Sequence, residues 1–383
     1  MEDGIGAKHH DPHSLAGMHG QEYRSDVPDV PRRRVSKRKE PKIGDVAALA
    51  RVSIGTVSNV MTSRRWVHPN LVERVRAAMQ QLGYVRHAGA SQLRSRRTTV
   101  IGAIVPDLPD TFCATFVARV EELARASGYR TLVAGSGEDP EEELAQVQAL
   151  ATWRPAGVLL IPTDDQFRGV QFLASAGIPV VAVDRVIDDM SVDSIGIDNA
   201  AASGQGAAHL AALGHKHVLV ISSLLSHNVR ERVAGARSAL AGNTLVEVIE
   251  VVKGLEAVVG AVVRRLSRPP LPTAIMAVTH QATLASVHAL QRCGLVVPRE
   301  ISLVGFDDNQ WMPVMNPALT AVRQPVEALA VGAWQQLAAR LRGDRAPPVR
   351  IRLAGTLELR NSAGPPRTRA GASPRALARN ADR

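Results

Sequence analysis

The chain has 383 residues and a formal net charge of +10, and 45% of its residues are hydrophobic whereas only 3% are aromatic. This length allows two or three domains with well-buried cores. The two cysteines, Cys113 and Cys293, are too few for a disulfide framework or a zinc-ribbon site. No run approaches 18 uncharged apolar residues, and residues 1–14 lack the apolar core of a signal peptide. We therefore expect a soluble cytoplasmic protein with no membrane partner, metal or cofactor.

The basic residues are concentrated in one segment. Residues 31–97 carry sixteen basic and three acidic side chains, whereas residues 98–361 carry twenty-three basic and twenty-six acidic ones. Such a block favours a polyanionic partner, nucleic acid first and a membrane surface second, although a solvated basic face is the simpler alternative. Residues 1–40 and 362–383 show no apolar period, so both are predicted to be disordered, the first as a basic N-terminal extension and the second as a tail.

Residues 41–86 have the pattern of three short helices. After a first helix, Ser53 is placed to cap a second one that runs from Ile54 to about Met61. Pro69 suits the first turn of a third helix. Two helices joined by a three-residue turn indicate a helix-turn-helix unit.

From residue 98 onwards, apolar runs that read as strands alternate with helical segments. Most of these runs are continuous rather than alternating, which is typical of parallel strands covered on both faces. We therefore predict an α/β fold with doubly wound parallel sheets, and the length suffices for two lobes. The predicted strands are 100–106, 130–135, 156–162, 179–184, 194–198, 217–222, 245–251, 274–278 and 302–307. The predicted helices are 113–127, 140–151, 199–213, 229–241, 254–267, 280–293 and 326–342.

In a helix-turn-helix unit the second helix enters the major groove of DNA, and its first residues meet base edges. Val57 and Val60 are expected to pack inward, which leaves the other side of this helix to the duplex. Asn59 suits adenine and Ile54 a thymine methyl group, whereas hydroxyl and arginine side chains suit phosphates. The alternative is that these are ordinary surface residues. The predicted contacts in this unit are Ser53, Ile54, Gly55, Thr56, Ser58, Asn59 and Arg64.

Several motifs occur together and in order along the chain. In the first unit they are Asp45-Val46-Ala47, Ala50, Val52-Ser53, Thr56-Val57-Ser58 and Leu82-Gly83-Tyr84. Further blocks follow at 101–107, 128–135, 177–185, 197–202, 213–218, 297–308, 316–325 and 357–362. Over about residues 42–361 the chain thereby resembles the lactose/galactose-repressor family. The resemblance implies an N-terminal three-helix helix-turn-helix headpiece and a two-lobed core of the periplasmic-binding-protein type with three crossovers.

The resemblance also implies a division of the chain. The headpiece would span 41–86, a hinge helix 87–97 and an effector-binding and dimerisation core 98–361. Lobe 1 would comprise about 98–195 and 323–350, and lobe 2 about 196–322 and 351–361. In the family the hinge folds on DNA and wedges a leucine into the minor groove. Leu93 matches that leucine and is predicted to contact DNA.

The implied function is that of a sequence-specific transcriptional regulator, expected to be a repressor. A homodimer would bind a near-palindromic double-stranded DNA operator, which would make the protein nucleoid-associated. A small molecule in the cleft, expected to be a sugar or sugar derivative, would control operator affinity. By the resemblance, Phe112, Asp184, Arg232 and Asp307 are effector-binding residues. Arg185 and Thr279, which also follow predicted strands, are predicted to bind the effector with them. The alternative for Asp184 and Asp307 is that they only cap loops.

The chain departs from the family pattern at informative positions. Arg51 replaces the glycine of the turn, and Asn59 replaces an arginine, which predicts an operator with adenine in place of guanine at that base pair. In the cleft, Thr279-His280 replaces the family's Asn-Asp, so the ligand need not be an ordinary sugar. A cleft imidazole suits an acidic ligand or a pH-dependent response, although a drifted polar residue is the simpler reading.

Two other classes of function fit the sequence less well. A free-standing soluble sugar-binding protein of a transport system would fit the core but not the attached headpiece. An enzyme on a nucleotide-binding fold is disfavoured because no dinucleotide fingerprint follows a strand, and no P-loop, nucleophile elbow or metal-ligand cluster is present in the sequence. We therefore expect no catalytic residues.

Overall fold

The computed structural model describes residues 41–62, 65–84, 98–186, 191–223, 226–251 and 254–367. The chain divides into two compact units, one up to Ser91 and the other from Gln92. The predicted extension 1–40, the predicted hinge 87–97 and residues 368–383 of the predicted tail lie outside the described residues.

The first unit, called the headpiece below, contains three helices: α1 (Ile43–Ala50), α2 (Ile54–Thr62) and α3 (Pro69–Leu82). The bounds of α2 agree with the sequence prediction to within a residue, and α3 begins at the predicted Pro69. Val46, Val57 and Val75, one from each helix, are fully buried in a small common core. The 3.6-residue spacing of apolar side chains therefore determines which face of each helix points inward.

The first lobe of the second unit is built on a six-stranded sheet. Its strand order is β2-β1-β3-β4-β5-β11, and all neighbouring strands are parallel. The strands are β1 (Val100–Val105), β2 (Arg130–Gly135), β3 (Val158–Leu160), β4 (Val180–Val183), β5 (Asp193–Ile197) and β11 (Arg350–Leu353). The helices of this lobe are α4 (Thr111–Ala126), α5 (Pro140–Thr152), α6 (Arg168–Ser175) and α11 (Val326–Leu341).

The second lobe repeats this plan. Its order is β7-β6-β8-β9-β10-β12, with only β12 antiparallel to its neighbour. The strands are β6 (His217–Ser222), β7 (Leu245–Glu250), β8 (Ala274–Ala277), β9 (Ser302–Phe306), β10 (Thr320–Arg323) and β12 (Thr356–Glu358). The helices are α7 (Asn199–Ala212), α8 (His227–Ala239), α9 (Gly254–Leu266) and α10 (His280–Arg292). The predicted α/β class with doubly wound parallel sheets is thus confirmed.

The structure differs from the sequence prediction in the C-terminal part of the core. The elements α6, β10, β11 and β12 were not predicted, because they are short and, in β11, because charged residues alternate with apolar ones. The strand β11 pairs with β5 in the first sheet, although residues from 351 onwards were assigned to the second lobe.

The expected C-terminal limit of the core at residue 361 is also too early. Ser362 is fully buried, donates its hydroxyl to the carbonyl of Leu303 at 2.6 Å and accepts from the Thr320 amide at 2.8 Å. Residues 362–367, which were assigned to the tail, therefore pack on the second lobe. The sequence does not reveal this packing, because the segment is rich in proline and glycine and is held by hydrogen bonds rather than by buried apolar side chains.

The topology determines where polar side chains meet. In each sheet the strand order reverses direction beside the first strand of the lobe, and a ligand crevice in such sheets lies at the carboxyl ends of the strands. The chain crosses between the lobes three times: after β5, after β10 and between β11 and β12. Loops that follow the strands of both lobes consequently surround one cleft.

The turn between α1 and α2 includes one residue with an unfavourable backbone conformation. Arg51, at the end of α1, has a left-handed backbone with φ of 50°, which for a residue with a Cβ costs about 1 kcal/mol. We predict that Arg51→Gly raises the stability of the headpiece by about 0.5 to 1 kcal/mol, less than the full strain because glycine gains entropy when unfolded. Hydrogen exchange of headpiece amides in the full chain measures this change.

The matched control is Arg154→Gly, which removes a left-handed arginine of the core with φ of 48°. It should leave headpiece exchange unchanged. Faster exchange in the Arg51→Gly headpiece would contradict the prediction.

Candidate functional site

The N-terminus of α2 is shaped by its preceding turn. The Ser53 hydroxyl accepts a hydrogen bond from the Thr56 amide at 3.0 Å and lies 2.9 Å from the Thr56 hydroxyl. Arg74 of α3 donates to the carbonyls of Ala50 and Arg51 at 2.6 and 3.2 Å, which ties the third helix to the turn. The start of α2 is therefore held both from within and from α3.

The other predicted DNA contacts occupy the outer side of α2. Ile54 is 54% exposed and Gly55 is also exposed, whereas Thr56, Ser58 and Asn59 are half-buried. Val57 is fully buried, as predicted. The exposed apolar side chain of Ile54, at the start of α2, would be buried by contact with a thymine methyl group. The predicted contacts Arg64 and Leu93 lie outside the described residues.

A cavity of about 420 Å³ lies between the two lobes of the core. All six predicted effector residues line it, each from a loop or helix start that follows a strand. The first lobe contributes Phe112, Asp184 and Arg185, and the second contributes Arg232, Thr279 and Asp307. The structure therefore brings together side chains that are up to 195 positions apart in the sequence.

Asp184 is the most deeply buried carboxylate of this cavity. Its backbone is left-handed with φ of 62°, and Asn228 donates to its Oδ2 at 3.3 Å. Arg232 lies 4.0 Å from its Oδ1 and is itself held by Asn199 Oδ1 at 2.8 Å and stacked 4.0 Å above the Phe306 ring. Burial raises the pKa of Asp184, and the positive charge of Arg232 only partly opposes this shift.

Arg185 and Asp307 flank Asp184 from opposite lobes. Both terminal nitrogens of Arg185 donate to Glu138 at 2.6 and 2.5 Å, which is a bidentate pair. Asp307 has a φ of 74° and accepts from the Gln324 amide group at 2.6 Å and from the His280 backbone amide at 3.1 Å. Left-handed aspartates at two strand ends are sterically costly and cluster at functional sites.

Thr279 and His280 replace the residues that the family pattern has at the start of α10. The Thr279 hydroxyl caps the helix by accepting from the Ala282 amide at 3.1 Å, and it lies 2.6 Å from the Ser223 hydroxyl. His280 Nδ1 lies 2.8 Å from Asp110 Oδ2, which belongs to the first lobe. The imidazole therefore pairs with a carboxylate across the cleft.

The titration of this pair follows from its surroundings. Burial acts to lower the pKa of His280, but the hydrogen bond to Asp110, with the charges of Asp110, Asp307 and Asp107, raises it overall. Burial likewise acts to raise the pKa of Asp110, and the hydrogen bond to His280 lowers it overall. Close by, burial raises the pKa of the Cys113 thiol far above its usual range, so this side chain is a poor nucleophile.

Sequence reasoning missed several residues of the cavity wall. Glu138, Asn228 and Gln324 line it, and each makes a hydrogen bond to a predicted residue. Gln324 lies in the motif block 316–325, but it follows β10, a strand that the sequence did not predict, so its place at a strand end was not recognised. Asn228 is the second residue of α8, which follows β6. Its place at a helix start after a strand is the one signal in the sequence that could have identified it.

The described residues contain neither a cluster of metal ligands nor a membrane-spanning helix. No group of three or more His, Cys, Asp or Glu side chains in them is arranged to bind a metal ion. None of their helices combines the length and apolar character that crossing a membrane requires.

The fold and the cavity together define a class of protein. A helix-turn-helix headpiece precedes a two-lobed core with a polar cavity between parallel sheets, which is the arrangement of a DNA-binding regulator with a ligand-binding core. Comparisons with known proteins agree. Residues 42–87 match the model of the lacI family of bacterial regulatory proteins, and residues 207–363 match that of the periplasmic binding protein-like domain.

Whole-chain relatives define the family. The chain is 30% identical over 346 residues to the HTH-type transcriptional regulator PtxS of Pseudomonas putida, covering 89% of this chain and 99% of that protein. It is 28% identical over 326 residues to catabolite control protein A of Priestia megaterium, covering 84% and 98%. A crystal structure of the lac repressor dimer bound to operator and the anti-inducer ONPF superposes with a TM-score of 0.74 and 26% identity, covering 85% of this chain and 100% of that one.

The protein thus belongs to the lacI family and is a helix-turn-helix transcriptional regulator, not an enzyme. This confirms the resemblance that the sequence motifs indicated.

The Asp110–His280 pair predicts a pH-dependent contribution to stability. A raised pKa of His280 means that its contribution is complete below about pH 6.5 and is lost as pH rises through the folded-state pKa. The lowered pKa of Asp110 means that its contribution is lost as pH falls below about 4. His280→Ala should therefore lower the free energy of unfolding by about 1 kcal/mol at pH 6 and by less at pH 9.

Urea unfolding of the full chain at both pH values measures this difference. His288→Ala, on the same helix but outside the cavity wall, controls for removal of an imidazole. An equal loss at pH 6 and pH 9 in His280→Ala would refute the ion pair.

Proposed function

We propose that this regulator is a repressor that binds a double-stranded DNA operator as a homodimer, and that a sugar or sugar derivative in the cavity controls its operator affinity. The observation that carries the proposal is the outer side of α2, where Ile54 and Gly55 stand exposed at a capped helix start. A soluble sugar-binding protein without DNA regulation is the alternative, and nothing in that function would require the headpiece.

The DNA contacts follow from the geometry of α2. Ile54, Gly55 and Asn59 would face base edges, and Ser53, Thr56 and Ser58 would bind phosphates together with Arg64. The exposure of Ile54 and Gly55 supports a close approach to the groove. Leu93 would wedge into the minor groove from the hinge segment. Such binding would place the protein on the nucleoid in the cytoplasm.

Ligand control follows from the position of the cavity. Side chains of both lobes line it, so a molecule that contacts both would favour one arrangement of the lobes over another. One structural relative, the transcriptional regulator CelR, was solved as a complex with cellobiose and is 28% identical, with a TM-score of 0.63. This supports a carbohydrate-like ligand for Asp184, Arg185, Arg232, Thr279 and Asp307, with Phe112 packing on its apolar face.

The homodimer is supported by an exposed edge of the first lobe. Leu132 and Val133 of β2 are 40% and 42% exposed, and Leu108, which lies next to Gly135 of the same strand, is also exposed. Because β2 is the outer strand of its sheet, this apolar edge would be a liability in a monomer. A second copy of the chain would cover it and would present two headpieces to two half-sites.

DNA binding is tested by electrophoretic mobility shift on the DNA upstream of the gene. We expect a retarded complex whose affinity falls steeply with salt, since many phosphate contacts release counterions. Asn59→Ala should weaken binding by about 1 to 3 kcal/mol at the preferred site, and Asn59→Arg should shift selected sites from adenine to guanine at one base pair.

Arg154→Ala, an exposed arginine of the core, is the matched control and should bind as the wild type does. Retardation without salt dependence, or a selected guanine with the wild-type Asn59, would overturn these assignments.

The dimer edge is tested by Leu132→Asp, which would place a charge at the expected apolar contact. We expect light scattering to show a shift towards monomer and operator affinity to fall at least tenfold, because each headpiece would then bind alone. Leu271→Asp, at an exposed loop residue, should leave the mass unchanged. A Leu132→Asp protein that remains a dimer would exclude β2 from the interface.

A further inference from the structure

The wall of the cavity carries more negative than positive groups. Its carboxylates are Asp107, Asp110, Glu138, Asp184 and Asp307, and its cationic groups are Arg185, Arg232 and His280. When all five carboxyl groups are ionised, the wall remains net negative even with His280 protonated. A ligand that enters must be compatible with this surplus of carboxyl groups.

The positive groups of the wall are already engaged. Arg185 is held in a bidentate pair by Glu138, and His280 is paired with Asp110. Arg232 is fixed by Asn199 and the carbonyl of Val278, and lies over the Phe306 ring. A carboxylate on the ligand would have to compete with Glu138, Asp110 or Asp184 for these positive charges.

Some of the negative groups, by contrast, have no cation of their own. The Asp107 carboxylate makes no hydrogen bond or ion pair within the part of the chain that the structure describes. Asp307 accepts only from an amide side chain and a backbone amide, both of which are neutral. These two carboxylates therefore account for the surplus charge of the wall.

Three buried polar atoms of the wall lack a hydrogen-bond partner among the described residues. Two are acceptors, Asp184 Oδ1 and Gln324 Oε1, and both residues are only 6% exposed. The third is a donor, Arg185 Nε. Buried acceptors of this kind require donors, so the missing partner supplies more N–H or O–H groups than lone pairs.

We propose that the cavity selects a polyhydroxylated ligand that carries a protonated primary amine, such as an amino sugar, over the neutral and the acidic counterparts of the same molecule. An ammonium group offers three donors and no acceptor, which matches Asp184 Oδ1, Gln324 Oε1 and the Asp107 carboxylate. Arg185 Nε would donate to a ligand hydroxyl or ring oxygen. The inference rests on the proposed function, in which this cavity is the effector site.

Proton exchange supports the same assignment. Burial raises the pKa of Asp184 in the free protein, whereas a bound cation would favour its ionised form. Amine binding should therefore lower the pKa of Asp184, and amine affinity should rise as pH increases through that pKa until the amine itself loses its charge. A neutral sugar would show neither effect to the same extent.

The test is isothermal titration calorimetry of the full chain with three matched sets of probes. Glucosamine, galactosamine and mannosamine are each compared with the corresponding hexose and hexuronate at millimolar concentrations. We expect at least one amine to bind tenfold or more tightly than its hexose and the uronates to bind most weakly. At pH values below the pKa of Asp184 in the free protein, buffers of different ionisation enthalpy should report proton release. A hexose or uronate that binds more tightly than its amine, or the absence of binding by all three amines, overturns the proposal.

Variants identify the responsible carboxylate. Asp184→Asn keeps the shape and tolerates the left-handed backbone, and it should abolish the preference for the amine over the hexose. Asp165→Asn is the matched control, because Asp165 bridges the lobes through Arg230 at 2.5 Å but does not line the cavity. It should change both affinities by the same factor. Asp107→Asn, at a half-buried residue, repeats the test if Asp184→Asn does not fold.

Failure of this inference is distinguishable from failure of the proposed function. A chain that retards operator DNA but binds none of the three amines would disprove only the ligand class. A chain that binds an amine but does not retard operator DNA would disprove the proposed DNA binding. One that binds both, with a mobility shift that is insensitive to the amine, would disprove regulation through the cavity. Neither result would affect the ligand class.

Discussion

The constraint on which the core depends is the burial of charge between the two lobes. A carboxylate removed from water is destabilising unless hydrogen bonds or opposite charges surround it. Asp184 meets this requirement only in part, since Asn228 satisfies one oxygen while Arg232 remains 4.0 Å from the other. The strand ends of both lobes must therefore be arranged around the same few groups, and the unsatisfied remainder is what a ligand would complete.

The lobes are linked by pairs that serve two purposes. Asp110 caps α4 through the amides of Phe112 and Cys113 and also pairs with His280 at the start of α10. Asp165 similarly joins the first lobe to Arg230 and the His227 amide of α8. Each contact joins a helix start of one lobe to the other lobe, so charged groups link the two lobes. Such groups are sensitive to ligand charge and to protonation, which suits a regulator.

Much of the architecture was predictable because local patterns are strong where burial is complete. Continuous apolar runs such as 100–105 and 217–222 indicated parallel strands, and the spacing of apolar residues gave α1 to α3 almost to the residue. The pattern failed for β11, where arginines alternate with apolar residues, and for Ser362, which is buried through hydrogen bonds. Neither β11 nor the burial of Ser362 produces a hydrophobic period in the sequence, so neither can be predicted without knowing which strands lie beside them.

The sequence by itself determined the class of protein: a cationic helix-turn-helix headpiece, a two-lobed α/β core, and Asp184, Arg232 and Asp307 as cavity residues. Only the tertiary structure decided how these charges are paired. The contacts of Arg185 with Glu138, of His280 with Asp110 and of Gln324 with Asp307 join residues 47, 170 and 17 positions apart. Residue type and spacing report local backbone preference, whereas the balance of charge in a cavity depends on which chain segments meet there.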